Sequence, residues 1–455
     1  MEKPIELGEI IEERIVDISY DGKGVLKKDN FAIFTDEGVY GDLVRVRIEK
    51  LKKNFAIGKT LELVEKSPHR IKSECEYSDL CGGCQFQEIE YSQELKLKKD
   101  EVVNDLERIG KLEGIEVFDT IGMEEPIRYR NNVQIPLIKS GGKTLIGHFE
   151  KNSHRVVDTH KCLIQEEIAD KVVKIFRDFM DEEDITAYHR KQNKGLVRHL
   201  IIRTSRLTKD TMVIVVINGD NLPRLERLVA KLGELDEFKS LYININKSRG
   251  NLVTGRKYRH IYGQKQIIDS IGDLKYKISP QSFFQVNTRQ AERLYEKVAD
   301  FADLKGEEVL VDLYSGIGTI ALFLASRAEK VIGIEIVKRA VEDARENAKL
   351  NNIDNALFFE GSAEKMLPEL ERVAGRADVL VVDPPRRGCE EKLLEDIVAY
   401  SPEKIIYVSC NPSTLARDLK YLEENKYRAI KAQPVDMFPR TNHIECVIGM
   451  QRKDT

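Results

Sequence analysis

The chain has 455 residues, with 73 Lys and Arg against 77 Asp and Glu and a formal net charge of −4 at pH 7. This length exceeds what one hydrophobic core usually organises, so two or three domains are expected. No stretch approaches eighteen apolar residues, and the first residues lack an apolar signal core, which excludes a membrane-spanning protein and predicts a soluble, cytoplasmic one. Seven cysteines fit a reducing compartment better than a disulfide framework.

Residues 1–64 alternate apolar and polar positions between glycine turns. Short strands at this regular spacing predict a small antiparallel β-barrel. The later half of this region is basic, through Arg45, Arg47, Lys50, Lys52, Lys53 and Lys59. Two interpretations of these side chains stay open: an RNA-binding face, and an ordinary solvated face.

The central region, 65–278, contains a compact cysteine array. Cys75, Cys81 and Cys84 follow a Cys-x5-Cys-x2-Cys pattern, and Cys162 lies further along. Four thiolates can hold a zinc ion or an iron–sulfur cluster, and their spacing does not choose between the two. A disulfide is disfavoured by the compartment.

Basic groups with interleaved aromatic side chains also occur in this region, at 128–132 and 189–199. Such segments are typical of surfaces that track a phosphate backbone, although a charged surface loop has the same composition.

From residue 279 to the C-terminus, apolar strands alternate with amphipathic helices, which predicts a doubly wound, mostly parallel sheet. A glycine turn at 312–320 follows the first strand and lets the backbone approach a ligand closely. The next strand ends at Glu335, whose carboxylate suits a ribose diol. This pairing fits a nicotinamide dinucleotide or S-adenosylmethionine. Ala321, at the third glycine position of the dinucleotide motif, counts mildly against the first.

A later strand ends in Asp383-Pro384-Pro385, a turn that recurs in nucleic-acid methyltransferases. Adenine-directed enzymes follow this turn with an aromatic side chain that stacks on the base. Here Arg386 and Arg387 follow instead, which disfavours amine methylation and favours methyl transfer to carbon. Both arginines are candidate phosphate contacts.

Cys410 lies between an apolar strand and a helix start, because Asn411 suits an N-cap and Pro412 suits the first helical position. Orphan amides and the helix dipole at such a position favour a thiolate. A lone cysteine is more often a small core residue. Asp383 upstream and Glu445 downstream favour the nucleophile here.

In their order and combination these features closely resemble the RNA uracil-5-methyltransferase family, in particular its 23S ribosomal RNA branch with a TRAM domain and an iron–sulfur cluster. The resemblance spans nearly the whole chain. It is carried by the N-terminal barrel and by the segments 81–85, 129–131, 285–287, 312–316, 383–386, 409–412 and 443–445.

The resemblance implies a Rossmann-like class I methyltransferase domain at 279–455, a TRAM-like RNA-binding barrel at 1–64 and a mixed α+β RNA-binding domain at 65–278. It also implies that the segment at about 92–125 packs on the catalytic domain. The site residues that it implies are Cys410 as nucleophile, Glu445 as general base, Gln285, Tyr314, Glu335 and Asp383 as S-adenosylmethionine contacts, and Cys75, Cys81, Cys84 and Cys162 as ligands of a [4Fe-4S] cluster.

The chemistry of uracil explains the two catalytic residues. Its C5 is too poor a nucleophile to take a sulfonium methyl group until a thiolate adds at C6. A carboxylate must then remove the C5 proton before the thiolate leaves. Because a stacked uridine cannot present C6, we expect a flipped base in single-stranded or looped RNA.

The predicted protein is therefore a monomeric enzyme that methylates a uridine of 23S ribosomal RNA. Methylation of the transfer RNA T-loop is the alternative within the class. Outside it, the alternatives are a non-catalytic iron–sulfur RNA-binding protein and, more distantly, an NAD-dependent oxidoreductase.

Overall fold

The computed structural model describes residues 3–19, 22–375 and 377–453. The outermost positions of the predicted barrel and catalytic domain, 1–2 and 454–455, lie outside the described residues, as do 20, 21 and 376. Within the described ranges, no helix is long and apolar enough to cross a membrane.

The N-terminal region forms one six-stranded sheet. Its strands are β1 (Ile10–Arg14), β2 (Asp17–Ile18), β3 (Gly24–Lys28), β4 (Phe31–Thr35), β5 (Leu43–Leu51) and β6 (Phe55–Glu65). They follow the order β1-β5-β6-β4-β3-β2, and neighbours are antiparallel except for β4 and β6. Val44, Val46 and Ile48 of β5 enter the core because alternate side chains of a strand point to opposite faces.

Two of the predicted basic residues of this sheet are paired with acids. Arg45 contacts Glu12 at 2.9 Å and also contacts Glu62, and Arg47 lies 3.4 Å from Glu49. These side chains are about half exposed, so the pairs add little stability. Their charges are nevertheless balanced locally, which fits a solvated face better than a phosphate-binding one at these two positions.

The central region contains a seven-stranded sheet covered on one face by helices. The chain first forms helix α1 (Tyr91–Asp105), a π-helical turn (Leu106–Gly110) and strand β7 (Glu116–Val117), which are not part of this sheet. The sheet and its helices then follow as β8 (Asn132–Ser140), β9 (Lys143–Phe149), β10 (Val156–Asp158), α2 (Glu167–Glu182), β11 (Val197–Thr204), β12 (Thr211–Ile217), α3 (Leu225–Leu232), β13 (Phe238–Ile245) and β14 (Lys257–Gly263). The strand order is β10-β9-β8-β11-β12-β13-β14. Val172, Phe176 and Phe179 of α2 recur at helical spacing and are buried against the sheet.

The C-terminal region is the predicted doubly wound sheet. After a hairpin of β15 (Ile267–Ile271) and β16 (Leu274–Ile278), its elements are α4 (Thr288–Ala302), β17 (Val309–Asp312), α5 (Thr319–Ala325), β18 (Lys330–Glu335), α6 (Lys338–Leu350), β19 (Ala356–Glu360), α7 (Ala363–Ala374), β20 (Val379–Val382), α8 (Glu391–Tyr400), β21 (Lys404–Ser409), α9 (Pro412–Asn425), β22 (Tyr427–Val435) and β23 (Glu445–Arg452). The strand order is β19-β18-β17-β20-β21-β23-β22-β7. Strands β17 to β21 are parallel, and the chain reverses direction across the sheet between β17 and β20. Ligands bind at such a switch point, outside the carboxyl ends of the strands.

The central and C-terminal regions share hydrophobic cores and a sheet. The face of the central sheet opposite its helices, with Ile201 and Ile214, shares one hydrophobic core with the C-terminal sheet. Strand β7 pairs with β22 as the eighth strand of the C-terminal sheet. Val102 and Leu106, in the helical segment before β7, are buried in the same core as Leu419 of α9. The segment from α1 to β7 thus belongs structurally to the C-terminal sheet, although it precedes the central sheet in sequence.

Candidate active site

Three carboxylates meet at the carboxyl ends of neighbouring strands. Asp312 ends β17, Glu335 ends β18, and Asp383 follows β20. Burial, and then the charge of Asp383, raises the pKa of Asp312 to about 8, and burial raises that of Asp383 to about 7. One oxygen of Asp312 has no hydrogen-bond partner among the described residues. A buried, unpartnered carboxylate oxygen is costly, so this crevice suits a cationic or hydrogen-bond-donating ligand.

The glycine turn after β17 is tied to Glu335. The backbone N–H of Gly316 donates to one Glu335 oxygen at 3.1 Å, and the N–H of Val337 donates to the other at 2.7 Å. Gly318, at the start of α5, has φ of +83°, and a Cβ there would lie 2.9 Å from the ring of Phe358. Only glycine meets both conditions without strain. The backbone thereby approaches the crevice as the sequence predicts.

Gln285 reaches the same crevice from the loop between β16 and α4. Its side chain acts on the Tyr295 hydroxyl, which donates to Thr319 at 2.9 Å and also feels the charges of Asp383 and Asp312. From the central region, Asn131 donates its side-chain amide to the Gln285 carbonyl at 2.9 Å. The central region therefore holds part of the crevice wall.

Tyr314 occupies the turn itself. Its backbone N–H lies 3.4 Å from Asp312 Oδ1, while its ring lies beside Cys389 and Glu364. Of the four predicted cofactor contacts, the structure gathers Gln285, Glu335 and Asp383 around the crevice. Tyr314 reaches the crevice through its backbone N–H, which lies next to Asp312. Asp312 begins the glycine turn at 312–320, but the sequence did not predict it as a site residue.

Cys410 lies at a strand-to-helix junction, and its local structure confirms the predicted cap. Asn411 Oδ1 accepts from the N–H of Ser413 at 3.1 Å and of Thr414 at 3.4 Å, and Pro412 begins α9. Asn411 Nδ2 also donates to the carbonyl of Arg386 at 3.2 Å. The cysteine is thus tied to the turn that carries Asp383.

Glu445 stands beside Cys410 across the sheet. Ser409 of β21 pairs with Cys446 of antiparallel β23, so Cys410 and Glu445 are the next positions of that register. Glu445 is buried, and its charge acts directly on the Cys410 thiol. The two residues therefore converge at the ends of neighbouring strands.

The expectation of a stabilised Cys410 thiolate in the free protein is wrong. Burial, and then the charges of Glu445 and Asp383, raise its pKa to about 12, while Arg386 acts in the opposite direction. The Asn411 side chain already accepts from the helix amides that were expected to stabilise the thiolate. Burial also raises the pKa of Glu445 well above its usual range. The Cys410 thiol therefore carries its proton in the free protein at neutral pH.

His443 lies two residues before Glu445. Its Nδ1 is 3.2 Å from Arg386 Nη2, and its ring packs edge-on to Phe438. Burial, with the nearby Arg386 charge, lowers its pKa to about 4. The imidazole is therefore neutral at pH 7.

The four cysteines of the central region line one cavity of about 410 Å³. Cys75, Cys81, Cys84 and Cys162 are all free thiols, and burial raises the pKa of Cys84 to about 12. The structure thus brings the four predicted ligands together. Within the described ranges, no three His, Cys, Asp or Glu side chains are arranged to hold a single metal ion. The cavity also borders Arg130 and Phe283, which connects it to the segment before Gln285.

Comparison with solved structures supports the fold of the entire chain. A tRNA (uracil-54, C5)-methyltransferase from Pyrococcus abyssi, solved in complex with S-adenosyl-L-homocysteine, is 30% identical. Its TM-score is 0.78, and the match covers 97% of this chain and 100% of that one. The class I methyltransferase fold predicted for the C-terminal region is confirmed.

Sequence comparison gives the same family. An uncharacterized RNA methyltransferase of Caldanaerobacter subterraneus subsp. tengcongensis is 44% identical over 98% of this chain and 99% of its own length. Another, from Clostridium tetani, is 45% identical over 94% of this chain and 93% of its own. The family described as tRNA (Uracil-5-)-methyltransferase matches residues 90–453. The chain therefore belongs to the tRNA (uracil-5-)-methyltransferase family, and the predicted enzyme class, an RNA methyltransferase, is confirmed.

Proposed function

We propose that the protein transfers a methyl group from S-adenosylmethionine to C5 of a uridine in RNA, with Cys410 as nucleophile and Glu445 as general base. The observation that carries this proposal is the adjacency of these two side chains across β21 and β23, beside the carboxylate crevice. The test is methylation of RNA followed by nucleoside analysis. 5-Methyluridine is expected, and any other methylated nucleoside would overturn the proposal.

The crevice supplies what the cofactor needs. Glu335, held by two backbone amides, would accept from the ribose hydroxyls, and Asp383 would attract the positive sulfonium end. Gln285 supplies an amide, and the Tyr314 backbone shapes the turn. Asp312 would offer its unpartnered oxygen to a hydrogen-bond donor of the bound cofactor. S-Adenosylmethionine contributes the electrophilic methyl group when bound.

The reaction begins when the Cys410 thiol releases its proton to solvent and the thiolate adds to uracil C6, which breaks the C5–C6 double bond and places carbanion character at C5. C5 then attacks the methyl group, and the sulfonium leaves as the neutral thioether. Glu445 next accepts the C5 proton, the C5–C6 double bond forms again, and the C6–S bond breaks. The raised pKa of Glu445 makes its ionised form a strong proton acceptor at this step.

Arg386 is expected to shape the pH dependence. Because burial and nearby carboxylates raise the pKa of Cys410 to about 12 and the thiol must lose its proton to act, the methylation rate should rise with pH from neutral to alkaline conditions. Arg386 lowers the thiol pKa, so Arg386→Met should move the pH–rate profile to higher pH. Activity would fall several-fold more at neutral than at alkaline pH.

The matched control is Arg387→Met, since that neighbouring side chain is exposed and paired with Glu390 at 3.0 Å. Rates are measured at saturating RNA, so that a lost phosphate contact is not mistaken for a shifted pKa. Equal loss at every pH would contradict the role of Arg386 in thiolate formation.

We propose 23S ribosomal RNA as the substrate, with a TRAM-like RNA-binding domain at 1–64, a central RNA-binding domain at 65–278 and a monomeric catalytic domain at 279–455. Transfer RNA is the second candidate, because the Pyrococcus abyssi tRNA enzyme aligns with 97% of this chain, N-terminal sheet included. Methylation of both RNAs by the purified protein, with mapping of 5-methyluridine, separates the candidates. 5-Methyluridine found only in the T-loop of transfer RNA would overturn the assignment of 23S ribosomal RNA as the substrate.

We also propose that Cys75, Cys81, Cys84 and Cys162 hold a [4Fe-4S] cluster. A mononuclear zinc site needs four ligands close around one ion, with thiol sulfurs about 2.3 Å from it. Four thiols around one larger cavity suit a cluster better. Methyl transfer moves no electrons, so the cluster serves folding or RNA positioning.

Cys81→Ser is expected to bleach the brown colour of protein purified without oxygen and to lower its iron and sulfide content. Cys389→Ser is the control, because that buried thiol contacts Tyr407 and lies outside the cysteine cavity. A colourless wild-type protein that contains zinc would contradict the assignment.

A further inference from the structure

The loop between β22 and β23, residues 436–444, leads directly into Glu445. We propose that Lys98 of α1 is a positioning residue, which anchors this loop through a buried ion cluster with Glu94 and Asp436 and so holds Glu445 in place to remove the C5 proton. This inference rests on the proposed function.

Lys98 forms the centre of the cluster. Its Nζ donates to Glu94 Oε1 at 2.8 Å, to Asp436 Oδ1 at 2.6 Å and to the Phe438 carbonyl at 3.3 Å. The Lys98 side chain is 1% exposed, and both carboxylates are 0% exposed. An ammonium has three donors, and all three are used. Removing one partner of such a buried group strands the opposite charge, which is strongly destabilising.

Arg440 and Tyr91 complete the charge balance. The Arg440 backbone N–H donates to Glu94 at 2.8 Å, and its guanidinium lies 3.7 Å from the same carboxylate. The Tyr91 hydroxyl donates to the second Asp436 oxygen at 2.7 Å. Two cations thus face two carboxylates. Arg440 has φ of +69°, a conformation that a non-glycine residue keeps only where its surroundings enforce it.

The segment that follows the cysteine array holds the same loop. The backbone N–H groups of Gln85 and Phe86 both donate to the Arg440 carbonyl at 3.0 Å. Gln85 Oε1 accepts from the N–H of Asn442 at 3.3 Å, and the Tyr129 hydroxyl donates to the Pro439 carbonyl at 2.9 Å. The loop is thus anchored up to Asn442, three residues before Glu445.

Cys410 does not depend on these anchors. It is held by the end of β21 and by the Asn411 cap, neither of which belongs to the 436–444 loop. A loosened loop should therefore displace Glu445 while the nucleophile stays in place. Thiolate addition and methyl transfer would continue, and proton abstraction would slow. Since a misplacement of about 1 Å can cost on the order of 100-fold in rate, we expect a 10- to 100-fold loss of turnover.

The experiment compares Lys98→Met with Lys99→Met in the full chain, with RNA and S-adenosylmethionine present. Lys99 is the next residue of α1, and its partner Asp119 is 96% exposed, so its replacement should change nothing. Lys98→Met is expected to lower turnover and to accumulate a covalent RNA–protein adduct on denaturing gels. General destabilisation would reduce adduct and turnover together.

Tyr91→Phe provides a second variant, since it keeps the ring and removes only the hydroxyl bonds to Asp436 and to the Met123 N–H. If Lys98→Met does not fold, as judged by circular dichroism, Tyr91→Phe carries the same expectation with a smaller effect. Unchanged turnover in the folded variants, or loss of turnover without adduct, would overturn the inference. Glu445→Gln is measured in parallel. If this variant forms no adduct, the proposed function is wrong. If it forms an adduct while Lys98→Met and Tyr91→Phe form none, only the role of Lys98 is wrong.

Discussion

Cys410→Ala is expected to abolish RNA methylation and to leave S-adenosylmethionine binding intact. Without the sulfur no C6 adduct forms, and C5 never gains the electron density to attack the methyl group. The loss should be on the order of 10⁴-fold or more, as for other covalent nucleophiles. Cofactor binding should persist, because Gln285, Glu335 and Asp383 stand on other elements. Methyl-transfer assays and calorimetric titration with the cofactor measure the two properties separately.

The matched control for this variant is Cys389→Ser, which alters a buried thiol behind the site. Cys410 is only half-buried, so its truncation should cost about 1 kcal/mol of stability. A folded Cys410→Ala protein that still turns over would refute the covalent mechanism.

Glu445→Gln is expected to trap the covalent RNA–protein adduct. Glutamine keeps the size of the side chain but cannot accept the C5 proton, so the C6–S bond cannot break. The substitution also removes a negative charge that raises the Cys410 pKa, which makes the thiolate easier to form. Adduct formation should therefore proceed while turnover falls at least 100-fold. A shifted band on a denaturing gel, labelled in both RNA and methyl group, measures the trapped species.

Glu424→Gln is the control for the charge change, since its side chain is 64% exposed on α9. A methylated adduct in Glu445→Gln and none in Glu424→Gln is the expected pair of results. Normal product release by Glu445→Gln would remove this residue from the proton-abstraction step.

Local patterns of the sequence were sufficient for the sheet and for the approach of the two proposed catalytic residues. The alternation of apolar strands and amphipathic helices predicts the doubly wound sheet, because each periodicity specifies which face is buried. Asn411 and Pro412 predict the start of α9 from capping chemistry alone. Since Cys410 and Glu445 each adjoin an apolar strand, their approach at one sheet edge also follows from the sequence.

The electrostatics were decided by the tertiary structure. The Cys410 pKa depends on burial and on the carboxylates Glu445 and Asp383, which raise it. The position of Cys410 at a helix start predicted a stabilised thiolate, and so a shift of this pKa in the opposite direction. The pairing of Arg45 with acids from other strands was equally absent from the local pattern.

Lys98 shows the same limit most clearly. In the sequence, nothing distinguishes Lys98 from the other charged residues of α1. In the structure it is buried and bound to Asp436, which lies 338 positions away. No local pattern reports a buried ion pair of that separation, because a charge reveals its role only when folding determines which groups surround it and how much water remains. The sequence alone thus determined the family, the sheet and the candidate nucleophile and base. Only the tertiary structure decided that the pKa values of both groups are raised, and which contacts anchor the loop that precedes the base.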